Sequence, residues 1–352
     1  MSAPNPVMIE QARREFFDGK GLPVNQVSHA ILRSWMRCTD MGLNARRAPP
    51  HEAPTSQEVR DLHDRHEALR RLCRAELDAL YNEAREMSGL VILTNAQGIV
   101  LDTLGDAAFA DRAAQVTLRP GVLWSEDGTG TNAIGTALAE RRGVSVFGGE
   151  HYFTDHKVLS CAATPIIDHR GAIIGVLDMS APATDAHTHM LGMVRLAVEQ
   201  IEHRLFREGF DGCETVRFQT DPGLLGVARE GILVVKDGVI VGANRRGLSL
   251  IGHGWDILDE MRFEDVFAHD VAQAARDGHL TAQDGRAFAA RLDTGARAGP
   301  ASFETVPGQS LDDIELSTIR AAVEAHKGNI SAAARHLGIH RSTIYRRLQY
   351  NV

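Results

Sequence analysis

The sequence has 352 residues, of which 43% are hydrophobic and 24% are charged, and a chain of this kind can bury a sizeable core in two or three domains. No apolar run approaches the roughly 18 residues that a membrane-spanning helix needs, and the N-terminus has no basic region followed by an apolar stretch, which disfavours a membrane protein and a secreted protein. The formal net charge of −8 argues at first against a partner as negative as DNA.

The distribution of charge along the chain reverses that expectation. Residues 325–352 contain no acid and have a charge of +5, from Lys327, Arg335, Arg341, Arg346 and Arg347. The other 324 residues therefore sum to −13. The sequence combines an acidic body with a basic C-terminal segment that suits a polyanionic partner.

The four cysteines, Cys38, Cys73, Cys161 and Cys213, form no closely spaced pair. Such spacing indicates neither a disulfide framework nor a zinc knuckle and fits a reducing compartment. We therefore expect a cytoplasmic protein without a membrane partner.

The N-terminal residues 1–56 form a predicted helical region followed by a linker. Apolar residues recur at helical spacing over 7–40, around Ile31, Leu32 and Trp35, and the Ala- and Pro-rich stretch 45–56 interrupts any helix. From Gln57 to about Met87, leucines on one side predict a long amphipathic helix. This helix is either packed against a core on one side or the seam of a dimer.

Residues 57–207 predict an α+β domain whose strands form an antiparallel meander flanked by helices. Two β runs, 89–94 and 99–105, are joined by a turn in which Gly98 can take a positive φ. A helix near 130–140, a strand at 143–147, two strands around the 169–171 turn and a closing helix at 186–207 follow.

Residues 208–306 predict a second, smaller α+β domain. A hairpin over 231–243 contains the Asp237-Gly238 turn signal, a short helical piece follows at 244–252, and strand-like runs lie at 285–293 and 301–306. The order of hairpin and helix suggests a PAS-like fold.

The last segment, 307–352, predicts an all-α domain of three helices separated at Gly328 and Gly338. Asn329 can cap the second helix, and Gly338 lies where two crossed helices need a left-handed residue. The third helix turns Ile344 and Leu348 inward. Its remaining side chains are free for DNA: Arg341, Ser342, Thr343, Tyr345, Arg346 and Arg347.

The pattern NISAAARHLGIHRSTIYRRL at 329–348 resembles the helix-turn-helix of the Fis family. The resemblance implies that Ser342, Thr343 and Arg346 approach base edges, while Arg341, Arg347 and the Asn329 end of the second helix lie near phosphates. One such motif contacts a half-site, so a homodimer on double-stranded promoter DNA is expected.

Residues 123–182, together with RSWMRC at 33–38, resemble the GAF sensor region of the acetoin catabolism regulator family. The resemblance implies a small-molecule sensor that controls transcription, with RNA polymerase as a further partner to consider. Five residues are candidates for an effector site in this domain: Trp124, Asn132, Thr136, His151 and Cys161. The first three can border a pocket or serve equally as caps and core.

Other chemical readings of the same region are weaker. Gly128-Thr129-Gly130 formally matches a dinucleotide fingerprint, but no buried strand precedes it. His151, His156 and Cys161 are close enough in sequence to suggest a metal site, but their spacing matches no known metal-binding motif. We therefore expect no metal and no cofactor. We find no motif that requires an enzymatic function. Cys161 is predicted to be an inert thiol in the core.

Regulators that combine this GAF segment with this C-terminal motif usually carry an ATPase module between the two. The GxxxxGK[S/T] loop of such a module is absent from these 352 residues. Two rival functions remain open. The chain could be a Fis-like architectural protein that bends DNA with little sequence preference, or an adaptor that docks on an ATPase-bearing homologue. The sequence also leaves open the choice between activator and repressor.

Overall fold

The computed structural model describes residues 5–294, apart from 47, 50–52, 116, 185–188, 208 and 269, and also describes residues 323, 326 and 330. The chain divides into two units, Met1–Ala296 and Arg297–Val352. All elements described below belong to the first unit, which is a mixed α/β structure with two antiparallel sheets. The predicted helix-turn-helix and the strand-like run 301–306 lie outside the described residues.

The predicted N-terminal helical region consists of two helices, α1 (Pro6–Phe17) and α2 (His29–Asp40). The side chains of Asn5 and Ser28 accept hydrogen bonds from the first turn of each helix, as helix caps do. Between the helices, Gly19 has a φ of 71°, which ends α1 where a residue with a β-carbon would be strained.

The single helix predicted from Gln57 to Met87 is divided into α3 (Ser56–Arg65) and α4 (Glu67–Glu86). His66 separates them with φ −112° and ψ 19°, outside the helical range. Leu77, Leu80 and Ala84 are buried against the first sheet. The helical pair therefore packs as a core element, which was one of the two interpretations of this segment.

The first sheet has the strand order β2-β1-β5-β4-β3, with all neighbours antiparallel. Its strands are β1 (Leu90–Asn95), β2 (Val100–Gly105), β3 (Val144–Phe147), β4 (Leu159–Ile167) and β5 (Ile173–Pro182). The two predicted turn glycines, Gly98 and Gly171, have φ values of 90° and 81°. The predicted meander is present for β3, β4 and β5, which are neighbours in chain order. The β1–β2 hairpin pairs with the other edge of β5, so β5 is the central strand.

Helices cover both faces of the first sheet. On one face, α4 and α8 (Met190–Arg204) pack on Val91, Leu177 and Met179. On the other face, Ile92, Cys161 and Ala163 contact a layer that includes α2 and α5 (Ala107–Gln115), α6 (Glu126–Thr129) and α7 (Ala133–Glu140). We call this second side the inner face of the sheet. Helix α5 was not predicted, because its sequence contains only one large apolar residue, Phe109.

The second sheet has the strand order β8-β7-β6-β10-β9. Its strands are β6 (Glu214–Gln219), β7 (Gly231–Lys236), β8 (Val239–Ala243), β9 (His279–Thr281) and β10 (Ala287–Thr294), and its helices are α9 (Arg245–Ile251), α10 (Phe263–Val266) and α11 (Val271–Asp277). The predicted β7–β8 hairpin is present and turns at Asp237 and Gly238, which both have positive φ.

The central strand of the second sheet, β6, was missed at the sequence level. Val216 and Phe218 alternate with polar side chains, which is the pattern of a half-buried strand, but this run of six residues was not assigned. In the fold the polar Arg217 is buried as well, because its guanidinium pairs with Glu230 and Asp293. Because Glu230 and Asp293 belong to other segments of the chain, the burial of Arg217 and the central place of β6 could not be predicted from a local pattern.

Among the helices that the structure describes, none is long and apolar enough to cross a membrane. The same part of the chain contains no group of three or more His, Cys, Asp or Glu side chains arranged to hold a metal ion.

Candidate functional site

The predicted DNA-contacting residues lie outside the described residues. They are Asn329, Arg341, Ser342, Thr343, Tyr345, Arg346 and Arg347. The nucleic-acid interface therefore rests on the sequence pattern, and the structural evidence concerns the candidate effector site.

Asn132 acts as the N-cap of α7 and has no hydrogen-bonding group left for a ligand. Its Oδ1 accepts from the Gly135 amide at 2.8 Å, and its Nδ2 donates to the Thr129 hydroxyl and the Gly130 carbonyl. The side chain is fully buried. Its role is to start α7 at the end of the glycine-containing turn.

Thr136 belongs to a buried polar cluster that joins α7 to α2. Its hydroxyl donates to Glu126 Oε1 at 2.9 Å, and the Ser34 hydroxyl donates to the same oxygen at 2.6 Å. Glu126 is only 7% exposed. A buried carboxylate needs such donors, so the Thr136 side chain supports Glu126 and is not offered to a ligand.

Arg37 completes this cluster with a two-pronged contact to Glu126. Its Nε and Nη2 donate to the two carboxylate oxygens at 2.7 and 2.8 Å, and its Nη1 reaches Glu140 at 3.0 Å. Hydrogen bonds from Arg33 and then Arg37 hold the pKa of Glu140 below its ordinary value. The RSWMRC segment of α2 is thereby tied to α6 and α7, which form part of the layer over the inner face.

Trp124 is buried in the same layer and stacks on His156, with ring centroids 5.1 Å apart. Its Nε1 donates to the Thr117 carbonyl at 3.3 Å. The indole is therefore a core element with its polar atom already bonded, and a ligand could contact it only through the ring.

His151 is held by the turn between β3 and β4. Its Nδ1 lies 3.1 Å from the Gly148 carbonyl, whereas Nε2 is buried without a hydrogen-bond partner among the described residues. Burial lowers the pKa of His151 to about 3, so the ring is neutral near pH 7. The turn is fixed by buried Arg13, which donates to the carbonyls of Gly149, His151 and Tyr152.

Cys161 lies on the inner face of β4, directly opposite Ser180 of β5. The Ser180 hydroxyl is 3.0 Å from Cys161 Sγ and 2.7 Å from Asp178 Oδ2. Burial raises the pKa of the Cys161 thiol well above its ordinary value, so the group stays a thiol and is a poor nucleophile or metal ligand. The expectation of an inert core thiol agrees with these surroundings.

Asp178 was not among the predicted site residues, and it is the most unusual polar group on the inner face. It is 1% exposed, and its Oδ1 has no hydrogen-bond partner within the described part of the chain. Burial raises the pKa of its carboxyl to about 7. The only sequence signal was an acid inside the apolar run VLDMS of a predicted strand.

A pocket of about 710 Å³ opens at the end of the same face. Apolar side chains of α5 and of the ends of β4 and β5 line it, and charged residues of the turn before β4 stand at its rim: Phe109, Ala113, Leu159 and Pro182, then Asp155 and Lys157. A pocket of this size can hold a small organic molecule. Trp124, Asn132, Thr136, His151 and Cys161 are absent from its lining.

The raised pKa of the Asp178 carboxyl predicts how the stability of the fold depends on pH. Because its pKa is raised to about 7, the folded protein keeps a proton that the unfolded chain releases between about pH 4 and pH 7, so stability falls as the pH rises through this window. Glu150, whose pKa burial also raises to about 7, acts in the same direction. Urea unfolding from pH 5 to 8 should show a decline that Asp178→Asn reduces, by at most about 1.4 kcal/mol per pH unit. An unchanged slope in that variant would contradict a titrating Asp178.

Comparison with known proteins finds a matching family model for the N-terminal part of the chain and another for its C-terminal part. Residues 5–203 match the family model "MimR, N-terminal domain", and residues 310–350 match "Bacterial regulatory protein, Fis family". The chain belongs to the MimR N-terminal domain family. The matched region contains α1 to α8 and the whole first sheet, including the α2–α7 cluster and Asp178.

Members of known function among the relatives are transcription regulators. The acetoin catabolism regulatory protein of Cupriavidus necator is 30% identical over 72% of this chain and 40% of its own length. The propane 2-monooxygenase operon transcriptional activator MimR of Mycolicibacterium smegmatis is 30% identical over 58% of this chain and 34% of its own length. The chain thus spans well under half the length of these curated relatives.

A solved structure, that of the E. coli DhaR(N)-DhaL complex, is similar over 76% of this chain and 100% of the matched chain. Its TM-score is 0.48 and its sequence identity is 14%.

Proposed function

We propose that the protein is a sequence-specific DNA-binding transcription regulator that acts as a homodimer and is not an enzyme. The observation that carries this proposal is the presence in one chain of a MimR N-terminal domain and a Fis-family segment. The basic charge of residues 325–352 supports it, since the rest of the chain is acidic. Its dimer would place two recognition helices on half-sites about one helical turn apart.

In this proposal the first sheet and its helices form a GAF-like sensor domain, and the second sheet with α9 to α11 forms a PAS-like domain. A five-stranded antiparallel sheet with helices on both faces supports the first assignment. Domain boundaries near residues 56, 207 and 306 remain part of the proposal.

The sensor domain would bind a small organic molecule in the pocket at the end of its inner face. The relatives are named for acetoin catabolism and for a propane 2-monooxygenase operon, which supports an effector of small size. Effector binding would bias the arrangement of the dimer and so change binding to promoter DNA. Because Asn132 and Thr136 are used within the fold, the pocket at the ends of β4 and β5 is a better candidate for the site than the start of α7.

Mapping the genomic binding sites of the full chain tests the proposal. We expect discrete, palindromic sites whose occupancy persists at raised salt, because base contacts add to the phosphate contacts. Binding that is diffuse and disappears steeply as salt rises would indicate the architectural protein instead. Absence of DNA binding, with capture of an ATPase-bearing homologue, would indicate the adaptor.

A further inference from the structure

We propose that the first domain has a second ligand site, between α1 and the connection from β3 to β4, and that this site binds a small organic carboxylate. The inference goes beyond the proposed function and does not depend on it. It is carried by a cavity, by a buried cation in the cavity wall, and by an excess of cations over carboxylates around the same space.

A cavity of about 650 Å³ opens beside α1, and we call it the N-terminal pocket. Its wall comes from α1 and the residues directly after it, from the end of α2 and the loop that follows, and from the β3–β4 connection. The half-buried side chains of Phe16, Phe17 and Leu43 supply an apolar part of this wall. Thr154 and Lys157 line both this pocket and the one at the end of the inner face, so the two are neighbours. The N-terminal pocket is large enough for a small organic molecule.

Arg13 is a buried cation in the wall of the N-terminal pocket. Only 6% of the residue is exposed, and its guanidinium lies over the ring of Phe17, 4.7 Å from the centroid. Its Nη atoms donate to the carbonyls of Gly149, His151 and Tyr152, whereas its Nε has no acceptor among the described residues. Burial lowers the pKa of Arg13, which means that the charged form is destabilised there. An anion in the pocket would stabilise that charge.

The wall contains more cations than carboxylates. Four cations line the pocket against two carboxylates: Arg13, Arg14, Arg46 and Lys157, then Glu10 and Asp18. Asp18 is already paired with Lys20, which is outside the lining, at 3.1 Å. Glu10 is shared between Lys157 at 3.0 Å and Arg14 at 3.8 Å. Within the described part of the chain, the other two cations of the wall therefore have no carboxylate of their own.

A carboxylate with an apolar body fits this wall better than other small ligands. Guanidinium groups form strong, charge-assisted hydrogen bonds with carboxylates, and both Arg13 and Arg46 lack such a partner. The rings of Phe16 and Phe17 can contact the apolar body. Free phosphate would satisfy the cations but leave these rings without a contact. An uncharged molecule would cover the rings but leave the buried charge uncompensated.

The test titrates benzoate and phenylacetate into the full chain by calorimetry, in a low-salt buffer that contains no other carboxylate. Each is compared with its uncharged amide, benzamide or phenylacetamide, and inorganic phosphate serves as an anion without an apolar body. We expect at least one carboxylate to bind at or below about 1 mM, and its amide to bind at least about tenfold more weakly. Equal affinity of carboxylate and amide, no binding of either carboxylate, or tighter binding of phosphate would overturn the proposal.

Variants with effects in opposite directions assign binding to this pocket. They use exposed side chains, because Arg13 also holds the β3–β4 connection. Arg46→Met should weaken carboxylate binding by at least about threefold, because a cation of the wall is lost. Glu10→Gln should strengthen it by about threefold or more, because the carboxylate that now occupies Lys157 is gone.

Arg60→Met in α3 is the matched control, since it removes the same charge from an exposed position outside the pocket wall. It should leave the affinity for the carboxylate nearly unchanged. Weaker binding in Glu10→Gln, or equal losses in Arg46→Met and Arg60→Met, would show that the carboxylate is not held in the N-terminal pocket. Circular dichroism of each variant without ligand checks that the fold is retained.

Discussion

Replacing Arg346 and Arg347 together by alanine should lower the affinity for a promoter site by at least about 100-fold at low salt, because an arginine that reads a guanine contributes about 1–3 kcal/mol and both changes occur twice in a dimer. The two residues have different expected roles. Arg346 approaches base edges by the Fis resemblance, so Arg346→Ala should reduce the preference for the specific site over unrelated DNA.

Arg347 is expected at a phosphate, and this expectation has its own measurement. Arg347→Ala should weaken binding to all sequences alike and make the logarithmic salt dependence shallower by about one unit per lost contact. Affinities would be measured by fluorescence anisotropy at several salt concentrations, with specific and scrambled DNA.

A matched control for both arginines lies in α3. Arg60 and Arg65 are exposed in the acidic body, and their replacement by alanine removes the same charge from the chain. This control should bind DNA nearly as well as the unchanged protein. If it lost as much affinity as the Arg346 and Arg347 variant, overall charge and not the helix-turn-helix would account for binding.

The second large effect concerns the cluster that ties α2 to α6 and α7. Arg37→Met should lower the free energy of unfolding by about 3 kcal/mol, because it leaves the buried Glu126 carboxylate without its cation while keeping the packing of the side-chain stem. Urea unfolding followed by circular dichroism would measure the change.

Two further variants check that the loss of stability in Arg37→Met comes from breaking the Arg37–Glu126 ion pair. Adding Glu126→Gln to Arg37→Met should restore part of the stability, since the unpaired buried charge is then gone. Arg33→Met on the same helix should cost less, because the Arg33 side chain is 52% exposed and Glu140 keeps its ion pair with Arg37 when Arg33 is removed. Equal losses in Arg33→Met and Arg37→Met, or strictly additive losses in the double variant, would show that Glu126 does not depend on Arg37.

The cluster also gives the RSWMRC segment a physical role. Its Ser34 and Arg37 bind Glu126, and its Trp35 Nε1 donates to the Glu150 carbonyl at 2.8 Å. The N-terminal helices are thus joined to the layer over the inner face, close to the turn that holds His151. A rearrangement of that layer would therefore also displace α2.

Local patterns in the amino-acid sequence were sufficient for the elements whose information lies within a few residues. The hairpin turns at Gly98, Gly171 and Asp237-Gly238, the strands around them and the helix-turn-helix assignment all depend on periodicity, turn residues and residue spacing. The Fis-family match at 310–350 confirms the last of these. Such features are readable because each element carries its own period and its own end signals.

Contacts between distant segments were not readable in the same way. The position of β5 beside β1, the central place of β6, and the Ser34–Glu126 bond across 92 residues depend on which surfaces meet in the folded chain. For Asn132 and Thr136 the sequence left open a choice between pocket lining and structural caps or core, and their bonds to Gly135 and Glu126 favour the structural alternative. Asp178 looked like an ordinary strand residue until its burial was known. The physical reason is that a polar side chain is used or unused according to its neighbours in space, and a single sequence does not state those neighbours.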